Sequence, residues 1–255
     1  MHHNDITETL RGGGTAVGYW TVLDAPVATE RVARAGYDYI GIDAQHGLMG
    51  YDGVLRNLMA VDAAHAAAGI VRTAANDPVC IGQALDAGAL GVIVPLVDTP
   101  EDAAAAVSAA RYSARFSGRR SYGPMRSALR IGPRPADSDR ETLVLAMIET
   151  AEGLANVEQI AAVDGLDGLY IGPSDLMLAV GGAYPADPDR ADALEAAVER
   201  TRAAADAAGI VPAIHSLDGA TAKRRLDAGF RMVTIASDLT HLEAAARAHL
   251  AAAKA

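Results

Sequence analysis

Residues 142–172 read TLVLAMIETAEGLANVEQIAAVDGLDGLYIG and contain one full repeat of the pattern that runs through the chain. Apolar runs at 142–149 and 168–172 are each short enough for a strand that is buried on both faces. Between them, residues 154–163 carry apolar side chains at helical spacing. This order predicts two parallel strands joined by a crossover helix.

The same alternation extends in both directions from this unit. Six further apolar runs rich in β-branched residues occur at 15–20, 37–43, 69–73, 91–97, 210–215 and 231–237. Ala-rich segments with helical spacing lie at 52–68, 78–88, 100–112, 191–209 and 219–230. Eight strands in alternation with helices favour an α/β fold, the closed (β/α)8 TIM barrel.

An open, doubly wound sheet is the structural alternative. The segment RGGGTAVG precedes the first strand and does not match the G-x-G-x-x-G motif of the dinucleotide-binding sheets, which weakens that alternative. No break in composition divides the chain. We therefore expect residues 1–255 to form a single barrel domain.

Composition and charge exclude several classes of protein. Hydrophobic residues make up 51% of the chain, which is incompatible with a disordered protein. A formal net charge of -10 argues against a nucleic-acid partner, because phosphate binding needs a basic face. No apolar run reaches the roughly 18 residues of a membrane span, and residues 1–14 contain no apolar signal region. We expect a cytoplasmic protein with no membrane partner.

The cysteine and lysine contents restrict the chemistry further. Cys80 is the only cysteine, which excludes a disulfide framework and a multi-thiolate zinc site. Only Lys223 and Lys254 are lysines, and both fall away from the predicted strand ends. Chemistry through a lysine Schiff base is therefore disfavoured.

Two carboxylates follow neighbouring strands of the predicted barrel, at the end where barrels carry their active sites. Glu149 ends the fifth strand, and Asp175 follows the sixth about one βα unit later. Adjacent carboxylates repel each other unless a cation neutralises them, and divalent cations prefer oxygen ligands. The alternative is two structural carboxylates, with Asp175 capping a helix that starts at Leu176.

A histidine and two further carboxylates suggest acid–base chemistry. His46 follows Asp43 by three residues, beyond the second strand. An imidazole with an ordinary pKa near ~6.5 suits a general base, although a loop histidine without a role is the alternative. A general base needs an orienting carboxylate, and both Asp43 and Asp86, near the end of the third helix, are candidates.

Arg72 and His215 lie inside apolar strands. A buried guanidinium is costly unless it is paired. Arg72 therefore either faces the barrel mouth to meet an anion or takes part in a structural ion pair, and the sequence leaves both open. His215 is ambiguous in the same way.

Two segments depart from the alternation of short strands and helices. Residues 113–140 contain seven arginines, Arg120 among them, between a helix and the fifth strand. A connection this long predicts a functional or mobile loop, and a solvated surface excursion is the alternative. The final segment, THLEAAARAHLAAAKA, predicts a helix that packs on its own barrel or on a neighbouring subunit.

Four ordered motifs carry a resemblance to a known family. They are GYDYIGIDAQHGLMGYD (36–52), VRTAANDPVCIGQALDAGALGVIVPLVDTPEDA (71–103), GRRSYGPMR (118–126) and MIETAEGLANVEQIAAVDGLDGLYIGPSDL (147–176). From about residue 15 to about residue 240 the chain resembles the HpcH/HpaI family of metal-dependent 2-oxo-acid aldolases. The resemblance implies a (β/α)8 barrel whose last helix is exchanged between subunits of a homo-oligomer, a trimer or a hexamer.

The resemblance also implies roles for particular residues. Glu149 and Asp175 would bind a divalent Mg²⁺, Mn²⁺ or Co²⁺ ion. His46 would be the base, Arg72 would stabilise the oxyanion, and Asp86 would raise the basicity of His46.

The resemblance further implies contacts to the substrate. The backbone at Ser174 would contact it, within a set of substrate-binding residues comprising Arg72, Met147, Gly172, Pro173, Ser174 and Asp175. Trp20, Asp43, Gln45 and Arg120 are further candidates for the site, and the loop around Arg120 is expected to contact either the aldehyde or a neighbouring subunit.

Two positions depart from the pattern of many family members. Met147 stands where many members have Gln, and Gln45 stands where many have Glu before the histidine. Both changes remove a polar or charged group near the site. The family's best-known substrates are therefore not the expected ones for this chain.

The function that the resemblance implies is reversible cleavage of a 4-hydroxy-2-oxo acid. The products would be an aldehyde and either pyruvate or hydroxypyruvate. Alternatives on the same metal site are an acyl-CoA lyase of the malyl- or citramalyl-CoA type and an oxaloacetate decarboxylase. A non-catalytic barrel that binds a small acid is the third.

Overall fold

A computed structural model describes residues 5–255 and contains a closed barrel of eight parallel strands. Each strand pairs with the next along the chain, and the first pairs with the eighth. The strands are β1 (Ala16–Thr21), β2 (Tyr39–Asp43), β3 (Ala68–Arg72), β4 (Gly91–Val94), β5 (Leu143–Ile148), β6 (Gly168–Ile171), β7 (Val211–Ser216) and β8 (Met232–Ile235). The closed sheet confirms the predicted TIM barrel and excludes the doubly wound sheet.

The first helix precedes the first strand at one end of the barrel, and the other helices lie between or after the strands. The helices are α1 (Asp5–Arg11), α2 (Pro26–Ala33), α3 (Tyr51–Ala64), α4 (Pro78–Asp86), α5 (Pro100–Ala110), α6 (Ser127–Arg130), α7 (Pro135–Glu141), α8 (Ala151–Ala155), α9 (Val157–Ala161), α10 (Pro173–Ala179), α11 (Ala191–Ala208), α12 (Gly219–Asp227) and α13 (Asp238–Lys254). Short 3-10 helices lie at Ala114–Phe116 and Pro188–Arg190. Within residues 5–255, no helix combines the length and the apolar character needed to cross a bilayer.

Side chains alternate between the barrel interior and the surrounding helices, because successive residues of a strand point to opposite faces. Along β5, Leu143, Leu145 and Met147 belong to the interior cluster, and the residues between them pack outward. Ile6 and Leu10 of α1 join the interior cluster at the end where the strands begin, which we call the amino end. The opposite end, where the strands finish, is the mouth.

Two predicted helices differ from the structure. Residues 154–163 fall in two short helices, α8 and α9, that meet at Asn156, and the helix expected over residues 52–68 is shorter than predicted. The helix expected over residues 52–68 ends at Ala64, where His65 takes a left-handed conformation with φ of 54°. Ala68, which the predicted helix included, instead begins β3, and Gly69 follows it in the strand as predicted. Small residues such as these are compatible with a helix or a strand, so local pattern did not reveal the boundary.

The Arg-rich segment lies at the amino end of the barrel, since it leads from the end of α5 to the start of β5. It is not an irregular loop, because it contains a 3-10 helix, α6 and α7. The Asp139 carboxylate accepts hydrogen bonds of 2.8 Å from the backbone N–H groups of Tyr112 and Ser113. Buried Arg111 donates to the carbonyl of Asp139.

The last helix, α13, is attached to the barrel only near its start. The Asp238 carboxylate accepts hydrogen bonds from the backbone N–H groups of Val22 and Leu23, and His241 meets the Tyr19 hydroxyl at 3.0 Å. None of the helix residues is buried, and Leu242 and Leu250 are exposed.

Candidate active site

Four inward-facing side chains form the floor of the mouth. Strand register brings Trp20, Arg72, Met147 and His215 to similar heights on the odd-numbered strands, as expected for one interior layer of a TIM barrel. The Arg72 guanidinium lies 5.2 Å from the centre of the Trp20 ring, and the His215 ring centre lies 5.5 Å from it. Glu149 follows Met147 by two residues, in the same inward phase, and therefore stands above this floor.

Arg72 is held by a carboxylate on the neighbouring strand. Asp43 and Arg72 are paired across β2 and β3, and Asp43 accepts from Arg72 Nε at 2.9 Å and from Nη2 at 2.5 Å. Both side chains are buried. Arg72 therefore does both things that the sequence left open, because it forms an ion pair while it lies in the mouth.

Asp43 also organises the loop that follows β2. Its carboxylate accepts from the backbone N–H groups of Gln45 and His46 and from Trp20 Nε1. Burial alone would raise the pKa of Asp43, but Arg72 and these backbone donors hold the pKa below its usual value. The carboxylate stays ionised and fixes the loop backbone. It does not hold the His46 imidazole, as one sequence interpretation had it.

Glu149 is buried at the mouth and interacts electrostatically with the other candidate groups. Its Oε1 accepts a hydrogen bond of 2.9 Å from the backbone N–H of Leu96. Burial raises the pKa of Glu149 and the charge of Asp175 raises it further, whereas Arg72 and His46 lower it. Charged side chains from the loop after β2, the end of β3 and the start of α10 thus act on the one carboxylate that follows β5.

Asp175 lies in the first turn of α10 and is exposed to solvent. The helix begins at Pro173, Gly172 is its N-cap, and no side chain caps it. The structural alternative for Asp175, a cap on a helix starting at Leu176, is therefore wrong. Its carboxylate is available for a ligand.

Gly172 allows β6 to approach Glu149 closely. A Cβ atom at this position would lie 2.9 Å from Glu149 Oε2 and 3.6 Å from the Met147 sulfur. Only a residue without a side chain leaves Glu149 undisturbed. Its neighbours Pro173 and Ser174 are half-buried and exposed, respectively, at the rim of the mouth.

The donor set fits a divalent cation that keeps open coordination positions. Glu149 and Asp175 offer carboxylate oxygens. A cation bound by both would offset the two causes that raise the pKa of Glu149, which are the cost of burying its charge and repulsion by Asp175. Within residues 5–255, no group of three or more His, Cys, Asp or Glu side chains is arranged to hold a metal ion. Water and substrate would therefore complete the coordination shell.

His46 and Gln45 lie at the rim. The His46 side chain is exposed, while its backbone is fixed by Asp43. Gln45 is half-buried, and its Oε1 is buried without a hydrogen-bond partner among the described residues. The position where many family members carry Glu thus holds an unused acceptor in this chain.

Asp86 and Arg120 do not lie at the mouth of their own chain. Asp86 ends α4, four residues before Leu90, whose N–H bonds Gly69 at the start of β3. It therefore lies at the amino end, where its carboxylate accepts from Arg120 Nη2 at 2.8 Å. Contact between Asp86 and His46 of one chain is ruled out, because α4 runs down the length of the barrel.

Arg120 is buried against the same end of the molecule. Its Nη1 donates to the Ser138 hydroxyl, and its guanidinium lies 4.8 Å from the centre of the Tyr112 ring. The expectation that Arg120 contacts the aldehyde is therefore wrong within one chain, since an αβ connection lies at the end opposite the mouth. Contact with a neighbouring subunit stays a prediction.

The two lysines lie outside the barrel. Lys223 is exposed on α12 and pairs with Asp227, four residues further on, and Lys254 is exposed at the end of α13. Neither side chain lies in the interior cluster. This agrees with the expectation that the chain does not work through a lysine Schiff base.

One contact to the site was not predicted from the sequence. Leu96 has a positive φ of 54°, and this conformation accompanies the N–H bond to Glu149. A left-handed leucine is an uncommon conformation that local sequence does not signal.

His215, which the sequence left ambiguous, could have been assigned to the barrel interior, because Val211 and Ala213 of β7 face inward and His215 continues the same alternation.

Comparisons with known proteins identify the family of this chain. Residues 16–245 match the family model described as HpcH/HpaI aldolase/citrate lyase. A hydroxypyruvate/pyruvate aldolase of Rhizorhabdus wittichii is 41% identical over 253 residues, covering 99% of each chain. A 4-hydroxy-2-oxovalerate aldolase of Rhodococcus jostii is 36% identical and covers 98% of this chain and 95% of its own.

A solved structure supports the same assignment. The HpcH/HpaI aldolase/citrate lyase family protein of Burkholderia cenocepacia superposes with a TM-score of 0.88 at 33% identity, covering 99% of this chain and 100% of its own. Fold, family model and full-length relatives agree, and together they show that this chain belongs to the HpcH/HpaI aldolase family and is a carbon–carbon lyase.

Proposed function

We propose that this enzyme reversibly cleaves a 4-hydroxy-2-oxo acid into an aldehyde and either pyruvate or hydroxypyruvate. The observation that carries the proposal is the convergence of Asp175, Arg72 and His46 on Glu149. One mouth thus combines a carboxylate pair, a guanidinium and an imidazole. The names of the relatives from R. wittichii and R. jostii support the same substrate class.

Glu149 and Asp175 would hold the divalent cation, Mg²⁺, Mn²⁺ or Co²⁺. When bound, it supplies Lewis-acid stabilisation of the negative charge that develops on the 2-oxo oxygen. The choice among the three ions is part of the proposal, since oxygen ligands suit each of them.

Arg72 stabilises the same developing charge from the floor of the mouth. Asp43 engages Nε and Nη2, so the remaining nitrogen, Nη1, is oriented for the substrate. A guanidinium that is already positioned needs no reorganisation as negative charge moves from the C4 hydroxyl oxygen to the C2 oxygen. Such preorganised donors provide much of the rate enhancement in acyl- and aldol-type chemistry.

His46 is the general base of the cleavage step. His46 removes the proton of the C4 hydroxyl. The C3–C4 bond then breaks, and the electron pair of this bond forms the enolate of the 2-oxo acid. C4 leaves as the carbonyl carbon of the aldehyde. The enolate then takes up a proton at C3 to give the 2-oxo acid. The exposed position of His46 allows exchange of its proton with solvent.

The substrate carboxylate is positioned by the start of α10. The first-turn N–H groups of Ser174 and Asp175 have no partner within the helix, because the first helical bond runs from Leu176 N–H to the Gly172 carbonyl. A helix N-terminus with free N–H groups favours an anion. The side chains of Met147 and Trp20 provide the apolar surface of the floor.

Asp86 acts on His46 from a second copy of the chain. What supports this part of the proposal is the position of Asp86 at the amino end, which separates it from His46 of its own chain. The exposed α13, with Leu242 and Leu250 on its surface, exchanges between subunits in a trimer or hexamer. The proposal covers one domain of residues 1–255 that works in the cytoplasm; residues 1–4 lie outside the described part.

The acyl-CoA lyase alternative loses its main structural support. A CoA ester needs a long basic groove beside the reacting group, and residues 113–140 were the segment able to supply one. That segment lies at the amino end, with Arg120 and Arg126 engaged in internal ion pairs. The oxaloacetate decarboxylase and the non-catalytic barrel are left as outcomes of the test below.

The test is an assay of the purified protein with pyruvate or hydroxypyruvate and a set of aldehydes. We expect aldol products that EDTA abolishes and that Mn²⁺ or Mg²⁺ restores. We also expect the pyruvate methyl protons to exchange with D₂O. Binding of pyruvate without turnover and without exchange would instead indicate a non-catalytic barrel. Turnover restricted to oxaloacetate or malyl-CoA would contradict the proposal in favour of the corresponding alternative.

A further inference from the structure

His215 is the floor residue that the proposed mechanism does not use. It lies in β7 two residues beyond Ala213 and is paired in register with Thr234 of β8. Its ring meets the Trp20 ring edge-on, at an interplanar angle of 72°. It lies one interior layer below Glu149, and hence between the cation ligands and the apolar core of the barrel.

The other polar groups around the floor satisfy one another. Trp20 Nε1 donates to Asp43. The hydroxyls of Tyr39 and Tyr170 both meet the Thr234 hydroxyl, at 2.5 and 2.6 Å. The His215 imidazole, in contrast, forms no hydrogen bond within residues 5–255, and the residue is half-buried. Its nitrogens are not among the buried polar atoms that lack a partner, so they are accessible from the mouth, where they can bond water or a ligand.

The charge state of the imidazole restricts what that ligand can be. Burial lowers the pKa of His215 to about 4, the charge of Arg72 lowers it as well, and Asp43 acts in the opposite direction. The ring is therefore neutral near pH 7, with one nitrogen that donates and one that accepts. A neutral ring offers little to a carboxylate, but it matches a hydroxyl, which can also donate and accept.

We propose that His215 is the residue that recognises a hydroxyl group on C3 of the three-carbon donor, and that this makes hydroxypyruvate the preferred donor over pyruvate. The inference rests on the proposed function, since it concerns the same site.

His215 would contact the three-carbon donor and not the aldehyde, because His215 lies at the floor of the mouth. With its C2 oxygen on Arg72 and its carboxylate toward Ser174, the donor lies against the floor, and its C3 is the atom closest to the remaining floor residues. The aldehyde enters from the solvent side, where His46 is exposed. Of the floor residues, Met147 is apolar and Trp20 is already engaged, which leaves His215 to meet a substituent on C3.

The test compares two donors in three variants. His215→Leu removes the hydrogen-bonding capacity at similar size, and His215→Gln keeps a donor and an acceptor. Ser216→Ala is the matched control, because Ser216 is the next residue of β7 and faces away from the interior. The readout is kcat/KM for hydroxypyruvate and for pyruvate with one common aldehyde, with thermal unfolding to verify the fold.

We expect the wild type to prefer hydroxypyruvate and His215→Leu to lose that preference by about tenfold, the size of one net hydrogen bond. The loss should appear mainly in KM for hydroxypyruvate. His215→Gln should restore part of the preference, and Ser216→Ala should keep all of it. Equal losses for both donors in His215→Leu, or an unchanged ratio, would overturn the proposal.

The exchange of pyruvate methyl protons with D₂O separates this inference from the proposed function. It needs no hydroxyl at C3, so His215→Leu should keep it. Exchange without a donor preference in the wild type would overturn the role of His215 and leave the aldolase proposal intact. A wild type without exchange and without aldol products would remove the proposed function itself.

Discussion

The Asp43 carboxylate holds the Arg72 guanidinium on two nitrogens, across adjacent strands and in the interior of the barrel. The pair therefore has a positioning function beyond charge neutralisation. Asp43 fixes the plane of Arg72, while its contacts to the Gln45 and His46 backbone fix the neighbouring loop. One carboxylate thus sets the relative position of the predicted oxyanion donor and the predicted base.

Replacing Arg72 tests whether this geometry contributes to catalysis. Arg72→Ala should lower kcat by about 10²–10³, the usual loss for one oxyanion-stabilising donor. Arg72→Lys should lose most of the same factor, because an ammonium group cannot both span Asp43 and reach the substrate. Steady-state kinetics measure the effect of each substitution on kcat, and urea unfolding measures its effect on stability. A fully active Arg72→Lys would show that charge alone is sufficient.

Glu149→Gln should abolish tight binding of Mn²⁺, since it removes one of two charged ligands. Calorimetric titration of Mn²⁺ into the variant measures this without relying on activity. Glu152→Gln is the matched control, because Glu152 is exposed on α8 three residues later. Equal Mn²⁺ affinity in the Glu149→Gln variant and the wild type would exclude Glu149 as a ligand.

Gly172→Ala should impair metal binding with little loss of stability. The added Cβ would approach Glu149 Oε2 to 2.9 Å, so the flexible carboxylate end must move. Displacement of a ligand by its surroundings typically weakens metal affinity by about 10–100-fold.

The control for this substitution is Gly82→Ala on α4, where a Cβ meets open space. Both variants should unfold close to the wild-type temperature, and only Gly172→Ala should bind Mn²⁺ more weakly. Unchanged Mn²⁺ affinity in Gly172→Ala would contradict the contact.

Complementation tests whether Asp86 acts across subunits. His46→Ala and Asp86→Asn should each be nearly inactive alone. Co-expressed in equal amounts, they should recover activity in about a quarter of the sites, because some sites then combine His46 of one chain with Asp86 of another.

The control pairs His46→Ala with Arg72→Ala. Both residues belong to the mouth of one chain, so their mixture should recover nothing. Failure of the first mixture to recover, with oligomers formed normally, would argue against a partner role for Asp86.

The buried His215 should make stability depend on pH in a defined direction. Its pKa falls from about 6.5 in the unfolded chain to about 4 in the fold, so the unfolded state binds the extra proton. The wild type should therefore lose stability relative to His215→Leu as the pH falls from about 6.5 to 4. Urea midpoints of both proteins across this range provide the measurement. A constant difference would mean that His215 titrates normally.

Much of the candidate site could be predicted from the sequence pattern alone. Residues that follow the ends of parallel strands meet at one mouth, so Glu149, Asp175, Arg72 and His46 could be grouped before any coordinates. The position of Asp86 could not be assigned in this way, since local pattern does not show that α4 carries it to the amino end, away from His46 of the same chain. The left-handed Leu96 was also beyond local pattern, because tertiary contacts impose its conformation.

The sequence by itself determined the eight strands, their parallel order and the membership of the aldolase family, because hydrophobic periodicity and ordered motifs are local properties. Only the tertiary structure decided which partner each buried polar group has. Arg72 bonds Asp43, Arg120 bonds Asp86, and His215 has no hydrogen-bond partner in the part of the chain that the structure describes. Partners that are far apart in the chain are selected by barrel register and helix length, and these emerge only when the sheet closes.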